Sequence, residues 1–389
     1  MTLKYCLIQL FYWVCHGNAY SFASVYLTEK SFSSTLIGAI GSVACALSIV
    51  LQPRISAWAD RSRGRVLKKL CIALCVPAAV CSALLRFLPV ESTVYTAALY
   101  GTEMLMMTLL MPFVSALAME SARRGRKVNF GLARGIGSAG YAVLTFTLGT
   151  LIERAGIAIQ QTVMLGMSLL LLLSIALFPY KSDPDTLPEA ENAPAQGTGK
   201  GFLRRYPRFA VTLGGCALLY ISHVFLNSFF YQIILSKGMG TGEMGIAMAI
   251  ASLSEIPTMV LFALMLKKMR CGSWMRVAGV FFTLKILGTL LVSRVLPFYA
   301  VMLFQMLGYG LLSVAGIAYS DFVTRDGDHI RGQAWFSMTC SVGTVIGSFT
   351  GGFLIDAAGV NGMLITGTVL SALGAAIVAL SAQNERKTA

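Results

Sequence analysis

The segment Gly149-Thr-Leu-Ile-Glu-Arg-Ala-Gly156 recurs 203 residues later as Gly352-Phe-Leu-Ile-Asp-Ala-Ala-Gly359. Both copies lie at the end of an apolar run, and both carry an acidic residue at the fifth position between two flanking glycines. A segment repeated at this distance in a chain of 389 residues indicates two homologous halves.

A second match has nearly the same offset. His16 and Gly38 recur 207 residues later as His223 and Gly245. Each pair spans the hairpin between the first two apolar runs of its half. Short matches arise by chance in apolar sequence, but two matches in corresponding runs favour a true duplication.

A single long polar stretch separates the halves. It contains Pro184, Pro188 and Pro194 with glycines and acidic residues, which is typical of a flexible linker. We therefore predict an N-terminal half at 1–180, a linker at 181–206 and a C-terminal half at 207–389.

The composition excludes a water-soluble protein. Apolar residues make up 56% of the chain and charged residues 12%, and the mean hydropathy is +0.72. Soluble domains carry about 25% charged residues, so this chain lacks the polar atoms to cover a surface in water. One membrane span takes roughly 20 apolar residues, and twelve such spans fit the length.

Hydropathy predicts an all-α membrane protein with twelve transmembrane helices in two pseudo-symmetric six-helix bundles. A β-barrel would show segments of about 10 alternating residues instead. The predicted helices lie at about 4–28, 34–59, 68–89, 93–119, 129–152, 157–179, 207–236, 242–267, 274–295, 297–322, 331–355 and 359–382.

The basic residues predict the orientation. With the N-terminus inside, 24 of the 31 Lys and Arg fall on the cytoplasmic side, five on the outer side and two within spans. The positive-inside rule then places both termini in the cytoplasm of a multi-pass inner (plasma) membrane protein. This distribution accounts for the net charge of +14 without nucleic-acid binding.

The remaining composition favours neither a metal site nor an enzyme. The nine cysteines lie in or beside apolar runs without zinc-like spacing and are interpreted as packing residues. The first predicted span follows Leu3 directly and lacks a small-residue cleavage site, so we expect it to be retained. We expect no cofactor, no metal and no enzymatic activity, and we expect a monomer.

The loop after the second predicted span resembles the inner-loop signature of the major facilitator superfamily. It reads Ser56-Ala-Trp-Ala-Asp60-Arg61-Ser-Arg63-Gly64-Arg65. Ser56 replaces the usual glycine, and the spacing before Gly64 is one residue longer than usual. The resemblance implies an inner gate at Asp60, Arg61, Gly64 and Arg65, whereas the alternative is an ordinary basic loop.

The fifth predicted span resembles one group of that superfamily. The segment Phe130-Gly-Leu-Ala-Arg134-Gly-Ile-Gly-Ser-Ala-Gly-Tyr141 is similar to a stretch shared by lactose permease, phenylpropionate permeases and nucleoside permeases. The resemblance implies that Arg134 binds substrate and that Tyr141 offers a stacking face. Arg134 can alternatively extend to the membrane surface as a structural residue.

The resemblance continues in the second half, with departures. Glu255 matches a carboxylate that binds substrate hydroxyls, and Lys285 stands where an Arg is usual. The tenth span has Gly308 and Leu311 at the positions of a His and a Glu used for recognition and proton coupling. Ala116 replaces the fourth-span carboxylate. Lactose is therefore excluded as the expected substrate.

Besides the two histidines, four ionisable side chains lie well inside the predicted spans: Glu103, Arg134, Glu255 and Lys285. A charge inside the bilayer costs at least about 2.5 kcal/mol, so such residues tend to mark a transport pathway. We predict proton coupling at Glu255, with Lys285 as its partner and Glu103 as a further candidate. The alternative is a Glu255–Lys285 pair that only locks two helices together.

Five polar residues within spans are further substrate-binding candidates. His16 and His223 occupy equivalent positions in the two halves, and polar packing is the alternative role for both. The others are Asn18, Asn227 and Gln305.

Together these features predict a secondary active transporter for a small organic solute, coupled to protons and directed inward. A sugar, a nucleoside or an aromatic acid fits the relatives. The alternatives are efflux of amphipathic compounds, which predicts a proline–glycine motif that the fifth span lacks, and a non-transporting membrane sensor.

Overall fold

The computed structural model describes residues 1–62, 66–88, 92–123, 128–179, 199–325 and 328–384. Within these ranges the chain forms helices and turns and no strand. The helices in chain order are α1 (Thr2–Ser21), α2 (Ala23–Glu29), α3 (Ser34–Arg61), α4 (Leu67–Phe87), α5 (Thr93–Arg123), α6 (Phe130–Ala155), α7 (Ala158–Ala176), α8 (Gly199–Arg205), α9 (Pro207–Ser228), α10 (Phe230–Ser236), α11 (Thr241–Lys268), α12 (Cys271–Leu291), α13 (Val295–Met302), α14 (Leu311–Val323) and α15 (His329–Ser381).

Ten helices in the described ranges are long and apolar enough to cross a membrane. One of them, Arg331–Ser381, has 51 residues, and its backbone leaves helical geometry at Gly359 (φ 72°, ψ 175°). It is therefore long enough for two spans. Helix α1 has 20 residues, about 30 Å at 1.5 Å per residue, but Gln9, His16 and Asn18 make it more polar. Twelve spans are compatible with these lengths.

The repeat is visible in the backbone. Helices α1 and α9 are each followed directly by a phenylalanine with non-helical torsion angles: Phe22 (φ −104°, ψ 9°) and Phe229 (φ −117°, ψ 25°). These residues are 207 positions apart, the offset of the histidines. Likewise Gly156 (φ 79°, ψ 171°) and Gly359 occupy the same left-handed region, which favours glycine.

Two compact units make up the chain. Each is centred on one half and includes a six-residue segment from the other half. Unit 1 comprises Met1–Phe32, Ala39–Ala193 and Gly240–Gly245, and unit 2 comprises Ser33–Gly38, Pro194–Met239 and Ile246–Ala389.

Each unit has its own apolar core. In unit 1, α1 packs against α5, α6 and α7, and in unit 2, α15 packs against α9, α12 and α14. Large apolar side chains also point outward, such as Val143, Val260 and Leu296. Helices that face lipid are expected to expose such surface. The nine cysteines are free thiols, and six of them are buried, as packing residues are.

The end of the predicted linker is helical rather than flexible. Residues 181–198 lie outside the described residues, but Gly199–Arg205 forms α8. Phe202 of this helix is buried and stacks on Trp335, with ring centroids 6.5 Å apart. This apolar contact attaches α8 to α15.

Candidate functional site

Three polar side chains of unit 2 form a chain within the spanning helices. Lys285 Nζ donates a hydrogen bond to Gln305 Oε1 at 2.6 Å, and Gln305 Nε2 donates to Glu255 Oε1 at 2.7 Å. Lys285 and Gln305 are buried, whereas Glu255 is half-buried. Because an ammonium only donates and a carboxylate only accepts, these partners determine the orientation of the amide. One amide therefore links the predicted cation and anion.

An irregular backbone brings Gln305 to this position. After α13 the chain makes a 3-10 turn at Leu303–Gln305 and a π-turn at Met306–Gly310 before α14 begins. Thr258 Oγ1 donates to the Met306 carbonyl at 3.0 Å, which satisfies a backbone group next to the irregular turn. Such turns often mark functional sites in helices.

His223 lies beside this chain. Its ring stacks on Tyr309, with centroids 4.5 Å apart and planes 13° apart, and the Phe282 ring is 5.6 Å away. The Asn227 side chain is 2.8 Å from His223 Nε2. The structure therefore brings two further predicted residues, His223 and Asn227, to the same region as Lys285.

A small cavity of about 10 Å³ separates these groups, which is room for about one water molecule. Its walls include Ser222, His223, Phe282, Lys285, Gln305 and Tyr309. Gly308 also lines it and adds no side chain to its wall. The region thus combines a cation, an amide and aromatic rings around one opening.

Unit 1 contains a separate aromatic cluster around Arg134. The guanidinium carbon lies 3.8 Å from the centroid of the Trp13 ring, and Nη1 donates to Ser138 Oγ at 2.7 Å. Trp13 in turn donates to Gln9 Oε1 at 3.0 Å. The guanidinium therefore lies over the Trp13 ring and bonds to Ser138, one turn further along α6.

Two more predicted residues lie near this cluster. His16 is half-buried and stacks on Tyr20, with centroids 4.8 Å apart and planes 16° apart. Tyr141 is also half-buried, and its hydroxyl is 2.7 Å from Ser21 Oγ. A Cβ on Gly17 would lie 2.6 Å from the Tyr141 ring, so this glycine is what lets α1 and α6 approach.

Asn18 and Glu103 lie apart from both clusters, and both are buried. Asn18 Nδ2 donates to the Gln160 carbonyl at 3.1 Å. Glu103 accepts hydrogen bonds from Ser82 at 2.6 Å and Gln161 at 3.5 Å. Asn18, a predicted substrate contact, and Glu103, a predicted proton carrier, thus both lie in the interior between helices.

The predicted inner gate lies at the edge of the described structure. Asp60 and Arg61 end α3, but their side chains, and Gly64 and Arg65 as a whole, lie outside the described residues. Among the described residues, no three His, Cys, Asp or Glu side chains group in a way that could hold a metal ion.

Family comparison agrees with this architecture. The sequence model of the MFS_1 like family matches residues 2–364, nearly the whole chain. The chain belongs to this family. The protein is thus a multi-pass membrane protein with the fold of the major facilitator transporters. No curated protein sequence matches it.

Solved structures of major facilitator transporters share this fold. The nucleoside transporter NupG superposes with a TM-score of 0.83 at 13% identity, covering 97% of both chains. A bacterial homologue of the lysosomal transporter Spinster gives a TM-score of 0.66 at 14% identity, covering 98% and 96%. A POT family peptide transporter gives 0.69 at 12% identity, covering 100% and 97%. At these identities the similarity concerns the fold alone.

Sequence reasoning missed several residues of the transporter's two clusters. Trp13, Phe282 and Tyr309 were not predicted as site residues, because aromatic side chains in apolar runs usually pack in the core. A signal existed for Trp13, since Trp13, His16 and Tyr20 follow each other at helical spacing on one face of α1. Tyr309 depends on the π-turn, which the sequence does not reveal.

Proposed function

We propose that the protein is a secondary active transporter that imports a small neutral solute with a planar ring, most specifically a nucleoside, together with a proton. The observation that carries this proposal is the chain Lys285–Gln305–Glu255 inside the spanning helices. A paired cation and anion at this depth is costly unless it serves binding or coupling.

Charge balance supports a neutral solute. While Glu255 is ionised, its charge offsets that of Lys285, so this cluster of unit 2 has no net charge with which to select an aromatic acid. The stacked rings of His223 and Tyr309, with Phe282 beside them, suit a planar ring better than a sugar alone. The similarity in fold to a nucleoside transporter supports the same choice.

Glu255 is the proposed proton carrier and Lys285 its partner. Protonation turns one carboxylate oxygen into a donor and weakens the attraction between the two residues. The protonated Glu255 can then donate a hydrogen bond instead of accepting the one from Gln305 Nε2. Proton binding therefore changes the hydrogen-bonding groups that a solute contacts. In unit 1, Arg134 and Tyr141 are the proposed solute contacts.

The proposed topology follows the basic residues: both termini in the cytoplasm, an inner-membrane location and a monomeric transporter with an inner gate at Asp60–Arg65. A reporter fused after Glu189 is expected to report the cytoplasm, and one inserted near Glu91 the outer side. The opposite pair of signals contradicts this orientation.

Uptake of labelled uridine into proteoliposomes under an imposed proton gradient tests the proposal. Glu255→Gln is expected to abolish uphill accumulation while uridine exchange persists, because the amide mimics the protonated acid. Glu243→Gln is the matched control on the same helix: Glu243 accepts a hydrogen bond from the Gly240 amide at 2.9 Å, and Gln keeps that acceptor. Full accumulation by Glu255→Gln rejects Glu255 as the carrier, and no uridine uptake by the wild type rejects the nucleoside.

A further inference from the structure

We infer that the solute presents an amide-like edge, a carbonyl oxygen next to an N–H, which replaces the Gln305 side chain between Lys285 and Glu255. Lactam and imide rings carry this edge. The inference rests on the proposed function for the location of the solute, and it adds which chemical group the site selects.

The first argument is chemical complementarity. Lys285 offers only donors, and the Glu255 carboxylate offers only acceptors. The group that lies between them must therefore accept on one side and donate on the other. The Gln305 amide does both from one planar carbon, with hydrogen bonds of 2.6 and 2.7 Å. A ring lactam has the same two atoms on one carbon and can make both bonds in its place.

The second argument is that Gln305 lies in the irregular segment between α13 and α14. The 3-10 turn ends at Gln305, and the π-turn begins at the next residue. A π-turn holds one residue more than an α-turn, so its return to α-helix rotates the neighbouring side chains by about 100°. Gly308 adds no side chain to this turn, whereas Gly310 packs against Glu255, since an added Cβ there would lie 3.2 Å from the Glu255 Cα. Gln305 belongs to this turn, whereas Lys285 and Glu255 lie on α12 and α11, so a change in the turn can carry Gln305 away from between them.

The third argument is the space beside the amide. The cavity borders both Lys285 and Gln305, and its other walls include the rings of His223, Phe282 and Tyr309. Its volume of about 10 Å³ admits a single group the size of a water molecule. A solute whose carbonyl enters here meets Lys285 at once, with aromatic surface available for the rest of its ring.

Other solutes fit these partners less well. A carboxylate would face the Glu255 carboxylate, and an amine would face the Lys285 ammonium, so each places like charges together. A sugar hydroxyl pair can bridge the two groups but lacks the planar shape of the amide that now fills the position.

A pair of methylated uridines tests the inference without any variant. 3-Methyluridine has lost the N–H of the edge, whereas 5-methyluridine carries the same methyl group elsewhere and keeps the edge. We expect 5-methyluridine and uridine to compete with labelled uridine alike, and 3-methyluridine to compete at least about tenfold more weakly, the effect of losing one hydrogen bond to a charged group. Equal competition by the two isomers overturns the inference and leaves the nucleoside proposal intact.

Free uracil and methyl riboside separate the remaining outcomes in a thermal-shift assay of the purified protein. Stabilisation by uracil with no response to any nucleoside supports the edge and contradicts the nucleoside proposal. Stabilisation by methyl riboside alone, or by none of these compounds, contradicts both. Gln305→Met provides the protein-side test through selectivity: if the solute edge replaces Gln305, this variant should still prefer uridine to 3-methyluridine by at least about tenfold, whereas loss of that preference makes Gln305 the group that reads the edge and overturns its replacement.

Discussion

The Glu153 carboxylate accepts a hydrogen bond of 2.6 Å from the backbone N–H of Gly242, in the first turn of α11. Asp356, its counterpart in the repeated segment, accepts bonds of 3.1 and 2.7 Å from the backbone of Ser34 and Thr35, at the start of α3. Each contact lies within one unit. Both carboxylates satisfy N–H groups that a first helical turn leaves unpaired, at the positive end of the helix dipole. The acidic position of the repeat thus has one structural role in both halves.

Substitution of Glu153 should separate the charge from the hydrogen bond. Glu153→Gln keeps an acceptor and loses the charge, so we expect a loss of about 0.5 kcal/mol in the free energy of unfolding. Glu153→Ala removes both and should cost about 1–2 kcal/mol. In thermal unfolding in detergent, the unfolding temperature should fall in the order wild type, Glu153→Gln, Glu153→Ala. Identical unfolding temperatures for all three proteins contradict a capping role.

The close approach of α6 and α11 in unit 1 predicts a second effect. A Cβ on Gly245 would overlap the Thr145 carbonyl oxygen, which is backbone and cannot rotate away. Gly245→Ala should therefore destabilise the protein by about 1–3 kcal/mol. Gly214→Ala is the matched control, because nothing lies within 4 Å of its added Cβ, and it should stabilise the helix slightly. Equal unfolding temperatures for the two variants contradict the expectation.

The parts of this fold that depend on hydropathy and charge are predictable from the sequence. Long apolar runs give the spans, and the repeat gives the two halves. An ionisable residue such as Lys285 is easily recognised inside an apolar run, and burial then requires that it find Glu255 or a similar partner. The sequence therefore predicts a Glu255–Lys285 pair, whereas it names Gln305 only as a substrate-binding candidate and not as the amide that bridges the two.

The face of a helix that each polar residue occupies is less predictable. Asn18 and Arg134 are both polar residues within spans, yet the first is enclosed against Gln160 and the second lies on the Trp13 ring. Hydropathy reports depth in the membrane and not the direction of a side chain. The π-turn that positions Tyr309 depends on tertiary contacts such as that of Thr258, which no local pattern encodes.

Arg134 provides a functional test in unit 1. Arg134→Lys keeps the charge but loses the planar group that lies on Trp13, so uridine transport should fall at least about tenfold while expression persists. Ser138→Ala removes only the hydrogen bond of 2.7 Å and should have a smaller effect. The measurement is initial uptake in proteoliposomes at equal protein content. Near-normal uptake by Arg134→Lys returns this residue to a structural role.

The contact that holds α8 predicts a defined pH dependence. Asp328 accepts hydrogen bonds from Arg205 at 3.0 Å and from Tyr206 at 2.9 Å, with Arg331 nearby at 3.5 Å. Burial alone would raise the pKa of Asp328, but these hydrogen bonds and the positive charges outweigh it and hold the pKa below its usual 3.8. The stabilisation is therefore complete above the usual carboxyl pKa and is lost as the pH falls through the lower folded value.

Asp328→Asn should accordingly lower stability by about 1–2 kcal/mol at neutral pH. The difference from wild type should stay constant over about pH 5–8 and shrink only in stronger acid. Asp321→Asn is the control, since Asp321 pairs with His329 at 3.3 Å with 55% of its side chain exposed, and such pairs contribute little. Thermal unfolding across this pH range decides the matter, and a difference that changes between pH 6 and 8 contradicts the assignment.

A double-variant cycle at Lys285 and Glu255 distinguishes coupling from a structural lock. Lys285→Ala leaves a carboxylate in the membrane without its cation and should cost about 3 kcal/mol, because removing one partner of a buried pair strands the other charge. Adding Glu255→Gln removes that stranded charge, so the double variant should regain most of the unfolding temperature that Lys285→Ala loses.

If the pair only locks helices, recovered stability should bring back uphill uridine accumulation as well. We expect stability to return without accumulation, since the double variant retains the fold but has no carboxylate to carry the proton. Accumulation by the double variant at the wild-type level makes the pair a structural lock and moves proton coupling elsewhere, with Glu103 as the next carboxylate to test.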